Sequence, residues 1–303
     1  RGVRTRVLYD WIGSRGISDA YVRGLRDAGV EIRDFNRPSL LTRWLGILPR
    51  DHRKLLVVDP GASGEGGITG GIGVGHEWSV GEHPGKPGNG PWRDTAVQIQ
   101  GPAAQAMGGA FDRMWAMTPR YTRQHPEASR PTQAPKDAPG TPTDPNATGV
   151  VGIIEGEPGR YRVSRALETT AVTATRTIWI SDAYFTPSSA LVEALTGAAR
   201  DGVDVRLLVP GHGDHAWVLP LTRRYYPRLL RNGVRIWEWE GEMMHAKTSV
   251  SDGRYARVGS TDFNPLGVAI NFELDAVIDD TALGARMEAM FEDDLAHSRE
   301  VKR

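Results

Sequence analysis

HRKLLVVD at 52–59 and HAKTSVSD at 245–252 share one pattern, His-x-Lys-x4-Asp. Both runs alternate in the way of a short strand, where residues i and i+2 point to the same face. His52 and Lys54 therefore project together, and so do His245 and Lys247. Chance does not produce this pair. The chain holds five lysines, 32 arginines, eight histidines and 21 aspartates, so one accidental match has an expectation of roughly 0.01. A chain that prefers arginine this strongly nevertheless has lysine at both motif positions. A compact ammonium suits a point charge close to a phosphoryl oxygen.

Outward from the motifs, the flanking sequence repeats in the same order. RGVRTRVLYDWIGS (1–14) parallels DGVDVRLLVPGHGD (201–214), each a buried strand running into a Gly-bearing loop. LRDAGVEIRDF (25–35) parallels LLRNGVRIWEW (229–239), each a helix end, a glycine cap and a strand. Three matched blocks with the motif as the third indicate an internal duplication. Between the halves, 119–149 carries seven prolines and almost no large apolar side chain. It reads as an extended linker. The expected organisation is a first half at 1–118, the linker at 119–149 and a second half at 150–303. Each half reads as strands alternating with helices, an α/β fold with a mixed or largely parallel sheet flanked by helices. The second half has a strand at 177–185 and a helix at 188–202 before its Gly-Val strand. The first half has no equivalent, so about 50 residues are expected to be missing from its start.

Composition narrows the chemistry. The 303 residues are 39% hydrophobic, enough for a sizeable core. Lys+Arg and Asp+Glu balance at 37 each, so global charge gives no support for nucleic-acid binding. The absence of cysteine excludes thiolate metal sites and cysteine nucleophiles. No apolar run reaches the ~18 residues of a membrane span. His76, His83, His125 and His297 have no metal-ligand spacing.

The duplicated motif and its surroundings resemble the phospholipase D superfamily, and within it bacterial cardiolipin synthases and related phospholipase D-like proteins. The resemblance is carried by RDHRKLLVVD (50–59), TGGIGVGHEW (69–78), WRDTAVQIQGPA (92–103), DAYFTP (182–187), YYPRLLRNGVRIWEW (225–239), MHAKTSVSDGRYARVGSTDFNP (244–265) and NFELDAVI (271–278). It implies two halves related by a pseudo-twofold axis with the active site between them. It also implies a two-step displacement without metal or cofactor: one histidine attacks phosphorus, the other protonates the departing alkoxide, and water or an alcohol then releases the phosphohistidine. His52 is assigned as nucleophile and His245 as acid, with Lys54 and Lys247 neutralising phosphoryl oxygens. A carboxylate of one half is expected to orient the histidine of the other, pairing Glu273 with His52 and Glu77 with His245. Asp59 and Asp252 lie seven residues past each histidine, about 23 Å along an extended strand, and are expected to fix the following turn.

Two positions depart from the family pattern. Its Gly-Gly-x-Asn reads Gly70-Gly71-Ile72-Gly73 here, and its Gly-Ser-x-Asn reads Gly259-Ser260-Thr261-Asp262. Gly71, Gly73, Ser260 and Asp262 remain candidate phosphate contacts, with Gly73 limited to its backbone and Asp262 repelling phosphate unless protonated or paired. GASGEGGITGG (61–71) reads as a flexible hairpin tip. His212 and His215 sit in a loop at a strand end that faces the pocket. TRWLGIL (42–48) reads either as a bilayer contact or as core, and Tyr184, Phe185, Tyr225 and Tyr226 either line a lipid channel or fill the core. The expected partner is a phospholipid, phosphatidylglycerol or similar, met by peripheral membrane contact, with a membrane-associated or cytoplasmic location. The alternatives are a phosphodiesterase acting on nucleic acid, and a weakened lipid-binding homologue prompted by the two absent asparagines.

Overall fold

The computed structural model describes residues 2–37, 49–59, 66–79, 91–121, 149–215 and 217–302. The segment 42–48, most of the linker, His83 and His125 lie outside the described residues. The first half contains β1 (Arg6–Asp10), α1 (Asp19–Asp27), β2 (Glu31–Phe35), β3 (Leu55–Val58), β4 (Gly66–Gly70), β5 (Ala96–Gln100) and α2 (Pro102–Tyr121). The second contains β6 (Val150–Gly156), α3 (Arg162–Thr173), β7 (Thr177–Ser181), α4 (Ser189–Arg200), β8 (Asp204–Pro210), α5 (Val218–Arg223), α6 (Tyr226–Arg231) and β9 (Arg235–Trp239). It continues through β10 (Thr248–Ser251), β11 (Tyr255–Gly259), α7 (Pro265–Ala269), β12 (Glu273–Asp279), α8 (Thr281–Ala296) and β13 (Ser298–Glu300).

The second half is one mixed sheet in the order β13-β9-β8-β7-β10-β11-β12-β6. Only β7, β8 and β9 pair in parallel. They are the strands joined by helical crossovers, as parallel pairing requires. Helix α4 begins where the Ser188 hydroxyl accepts the Leu191 N–H, and stops at Gly202, whose positive φ a side chain would resist. Strand β7 ends at Ser181, short of the expected 185, because the Asp182 carboxylate draws the Tyr184 and Phe263 N–H groups into a turn.

The first half repeats this plan in two pieces. Parallel β1-β2 corresponds to β8-β9, and antiparallel β3-β4-β5 corresponds to β10-β11-β12. Strand β7, which joins β8 to β10, has no counterpart among the described residues. Leu56, Val58 and Ile68 of β3 and β4 stand exposed, whereas Ser249 and Ser251, which match Leu56 and Val58 in β10, are buried.

The glycine-rich stretch corrects one expectation. Gly66–Gly70 is strand β4, not part of a flexible tip; the segment 60–65 lies outside the described residues. The glycines answer to packing. A Cβ on Gly67 would lie 2.6 Å from the Met107 side chain of α2, and one on Gly71 would lie 2.1 Å from Asp94.

The two halves share a core. Leu55, Val57, Val97 and Ile99 of the first pack with Val250, Val258, Ala276 and Met244 of the second. The contact is closed by two matching parallel bridges, Asp51 with Phe272 and Arg93 with Met244. The His52 N–H donates to Phe272 O at 2.9 Å, and the His245 N–H to Arg93 O at 2.7 Å. Each motif is thus held by the opposite half, one residue before a carboxylate. Arg93 also reaches α8, where its Nε and Nη2 donate to the buried Asp294 carboxylate at 2.7 Å each. Arg93→Ala leaves that carboxylate without its guanidinium, which is expected to cost on the order of 3 kcal/mol. Urea unfolding checks this as a lower midpoint at unchanged slope.

Candidate active site

The residues just before β3 and β10 bring four motif side chains into one buried site. His52 exposes 21% of its side chain and His245 only 6%. Each Nδ1 meets a carboxylate from the other half. His52 Nδ1 lies 3.0 Å from Glu273 Oε1, and His245 Nδ1 lies 2.8 Å from Asp94 Oδ2. With Nδ1–H donating to the carboxylate, each Nε2 is left with its lone pair for chemistry. Lys54 Nζ and Lys247 Nζ turn back to the carbonyls of His52 and His245, at 2.9 and 2.8 Å. The pseudo-twofold symmetry therefore extends to single hydrogen bonds.

Glu77 is not the partner of His245. It lies exposed in the turn His76–Trp78, where its carbonyl accepts the Trp92 N–H. Asp94 takes the role because of strand register. Ala96 pairs with Gly70 as Asp275 pairs with Gly259, so Asp94 and Glu273 each stand two residues before the matching position. The sequence signal is present in WRDTAV against NFELDA. It is obscured because 24 residues separate Gly70 from Asp94, whereas 14 separate Gly259 from Glu273. Trp78, one residue past Glu77, does reach the site: its Nε1 donates to Asp94 Oδ2 at 2.8 Å. Trp78, Trp92 and Tyr184 surround the His245 ring at 5.4, 5.3 and 6.1 Å; Tyr184 is a sequence candidate for a channel or the core, and the sequence pattern does not mark the two tryptophans.

Ser260 is not free to bind phosphate. Its hydroxyl donates to Glu273 Oε2 at 2.5 Å and accepts the Leu274 N–H, so it positions the carboxylate that positions His52. Gly73 is covered by the Trp78 ring, 2.9 Å from where a Cβ would stand. The Gly71 N–H is committed to Thr95 O. Asp262 is buried with Oδ1 3.3 Å from Lys247 Nζ. His215 is exposed at the lip of a cleft lined by Tyr184, His212, Asp214 and Met243; the Tyr184 ring stands between it and His245. Asp252 has positive φ and accepts the Thr175, Arg176 and Thr177 N–H groups, fixing the start of β7. Asp59 has the same backbone twist and is exposed. Phe185 and Tyr226 are core residues, and Tyr225 packs against the same core.

The electrostatics follow from burial. Both imidazoles are held well below their ordinary range, first by burial and then by the nearest ammonium, Lys54 for His52 and Lys247 for His245. At pH 7 both are therefore neutral. Burial pushes Glu273 up to about 7, and it pushes Asp94 up as well. Burial also lowers Lys54 to about 8, with Glu273 opposing. A lysine with a lowered pKa is charged below that value and loses its charge as pH rises through it. If Lys54 neutralises the phosphoryl group, its loss of charge should give kcat/KM a descending limb of its own above about pH 8. Lys54→Arg, charged throughout, should move that limb to higher pH whatever its effect on the maximum. A pH–rate profile of both forms checks this.

Comparison with known proteins matches this geometry. Residues 168–295 fit the family model described as cardiolipin synthase, PLD-like domain. The chain is 32% identical over 302 residues to a cardiolipin synthase of Alkalihalophilus pseudofirmus, covering 99% of this chain and 57% of that protein. It is 33% identical over 306 residues to cardiolipin synthase A of Pseudomonas fluorescens, covering 99% and 59%. The chain thus spans somewhat more than half the length of the curated relatives it matches. The crystal structure of a phosphatidylserine synthase of Haemophilus influenzae shares the fold, with a TM-score of 0.63 at 13% identity over 100% of this chain and 84% of that one. Two His-x-Lys motifs facing each other across matched halves, together with these relatives, establish that the chain belongs to the phospholipase D superfamily.

Proposed function

We propose that this chain catalyses phosphodiester transfer on phospholipids, moving a phosphatidyl group to an alcohol as the name of its cardiolipin synthase relatives describes. One observation carries the reading: two imidazoles, each oriented through Nδ1 by a carboxylate of the opposite half, share a site with two lysine side chains. A neutral, oriented imidazole is a competent nucleophile. His52 is the more exposed of the two and is assigned the attack. Its Nε2 forms a bond to phosphorus as the bond from phosphorus to the leaving alkoxide breaks. His245 supplies the proton that the alkoxide takes. Burial first and then the charge of Lys247 keep His245 neutral; an anionic diester against Lys247 offsets the second of these, so substrate itself favours the protonated acid. In the second half-reaction His245 takes the proton of the acceptor hydroxyl, that oxygen bonds to phosphorus, and His52 departs. Lys54 and Lys247 stabilise the charge on the phosphoryl oxygens, as preorganised donors do.

The substrate is proposed to be phosphatidylglycerol or a similar phospholipid, met at a membrane surface. The membrane contact is proposed to be peripheral; among the described residues no helix is long and apolar enough to cross a membrane. Mass spectrometry of products from phosphatidylglycerol vesicles tests the function. Wild type is expected to yield a transphosphatidylation product or phosphatidic acid, and His245→Ala neither. Cleavage of single-stranded DNA with intact vesicles would favour the nuclease alternative. Binding of vesicles without turnover would favour the weakened homologue.

A further inference from the structure

Four carboxyl groups, Glu273, Asp94, Asp182 and Asp262, surround two ammonium groups in a site meant for an anion. Three have other tasks. Glu273 and Asp94 orient the histidines. Asp182, just past β7, holds the Tyr184 and Phe263 N–H groups. Asp262, three residues past β11, has neither task. It is 3% exposed, and its Oδ1 faces Lys247 Nζ at 3.3 Å without a well-formed hydrogen bond. It stands where the family pattern has an asparagine, whose amide could donate to a phosphate oxygen. A carboxylate there has nothing to donate and competes with the substrate for Lys247.

The cost of leaving it ionised is large. Two like charges about 4 Å apart at an effective dielectric near 20 repel enough to weaken binding on the order of a thousandfold. The carboxyl must neutralise or the diester will not bind well. We propose that Asp262 takes up a proton as the phosphodiester binds, freeing Lys247 for a phosphoryl oxygen and making substrate affinity fall as pH rises. This rests on the site accepting a phosphodiester, as proposed above.

The surroundings act on Asp262 in both directions. Burial raises Asp262, with Glu273 on β12 adding to it, while Lys247 before β10 and His52 before β3 oppose. Asp182 is pushed up to about 8 by burial and by the charge of Asp262. Lys54 and Tyr184 also feel the Asp262 charge, and α7 beside it carries no titratable side chain. A carboxyl raised in this way is protonated below its shifted pKa and ionised above it. When the diester replaces the carboxylate at Lys247, the group that kept Asp262 ionised is withdrawn. Solvent supplies the proton.

Dimethyl phosphate is a suitable probe, because its single acid group stays ionised across the working range. Calorimetric titration of the full chain at pH 7, in buffers of different ionisation enthalpy, counts protons taken up per diester bound. Wild type should take up more than Asp262→Asn, by close to one proton. Its affinity should weaken about tenfold or more between pH 6 and pH 8, and Asp262→Asn should flatten that slope and bind more tightly at pH 8. Infrared difference spectra of wild type should gain a protonated-carboxyl band on binding, which needs no variant. Equal proton uptake in the two proteins, or no new carboxyl band in wild type, would overturn the inference. Turnover of phosphatidylglycerol with pH-independent binding would sink this inference alone. Proton-linked binding without turnover would sink the phosphatidyl-transfer reading alone. No binding by either protein at any pH would overturn both.

Discussion

His52→Ala is expected to lower phosphatidylglycerol turnover by about 10⁴-fold or more, because removing a nucleophile removes the covalent route altogether. The prediction follows from position as well as residue type. His52 is anchored at its backbone by Phe272 and at Nδ1 by Glu273, and Glu273 is itself gripped by Ser260 and Asn271. Its Nε2 is left as the reacting atom in a fixed place. Folding should be little affected, since the ring is partly exposed and fills no apolar core. Steady-state assay with circular dichroism as a folding control checks the result. A loss smaller than about tenfold would remove His52 from the chemistry.

Asp94→Asn is expected to lower kcat by about 10³-fold with little change in KM. Asp94 is a positioning residue: its Oδ2 accepts from His245 Nδ1 and from Trp78 Nε1. An amide in its place can present NH₂ to the ring, inverting the tautomer or releasing the ring from its pose. The neutral ring would then carry its proton on Nε2, with no lone pair there to take the acceptor's proton and no carboxylate at Nδ1 to stabilise the imidazolium that serves as the acid. A merely structural role would lower activity on every substrate alike. A role through the acid should vanish where no acid is required, so the burst of p-nitrophenol from a p-nitrophenyl phosphodiester, which reports formation of the intermediate alone, should recover most of its rate. Glu77→Gln, a surface substitution in the same turn as Trp78, should stay within about twofold of wild type.

The contrast between Asp94 and Glu77 shows where the sequence was legible. The two motifs and the α/β class could be read from local patterns, and the pairing of Glu273 with His52 from the family resemblance. His-x-Lys needs only the two-residue period of a strand, and NFELD follows its motif closely. Asp94 could not be found by spacing, because the segment before β5 is longer than its counterpart before β12. What equates it to Glu273 is register against Gly70, which belongs to the sheet rather than to the chain. Ser260 has the right chemistry for a phosphate contact, yet its one proton goes to Glu273. The run around Gly67 looked mobile from composition alone. Its glycines instead let α2 and Asp94 come close. Burial explains the remaining differences: a residue type announces what a group can do, and the neighbours decide whether it is free to do it.

The shared site predicts a covalent phosphatidyl adduct on one histidine, and mass spectrometry after rapid acid-free quenching is the most direct measurement of it. His245→Ala, which is slow to release the intermediate, should be incubated with a phosphatidyl substrate carrying a p-nitrophenol-like leaving group and then digested. The adduct is predicted on the peptide containing His52, and it should be absent from His52→Ala. An adduct on any other residue, or turnover by His52→Ala at an undiminished rate, would contradict the account.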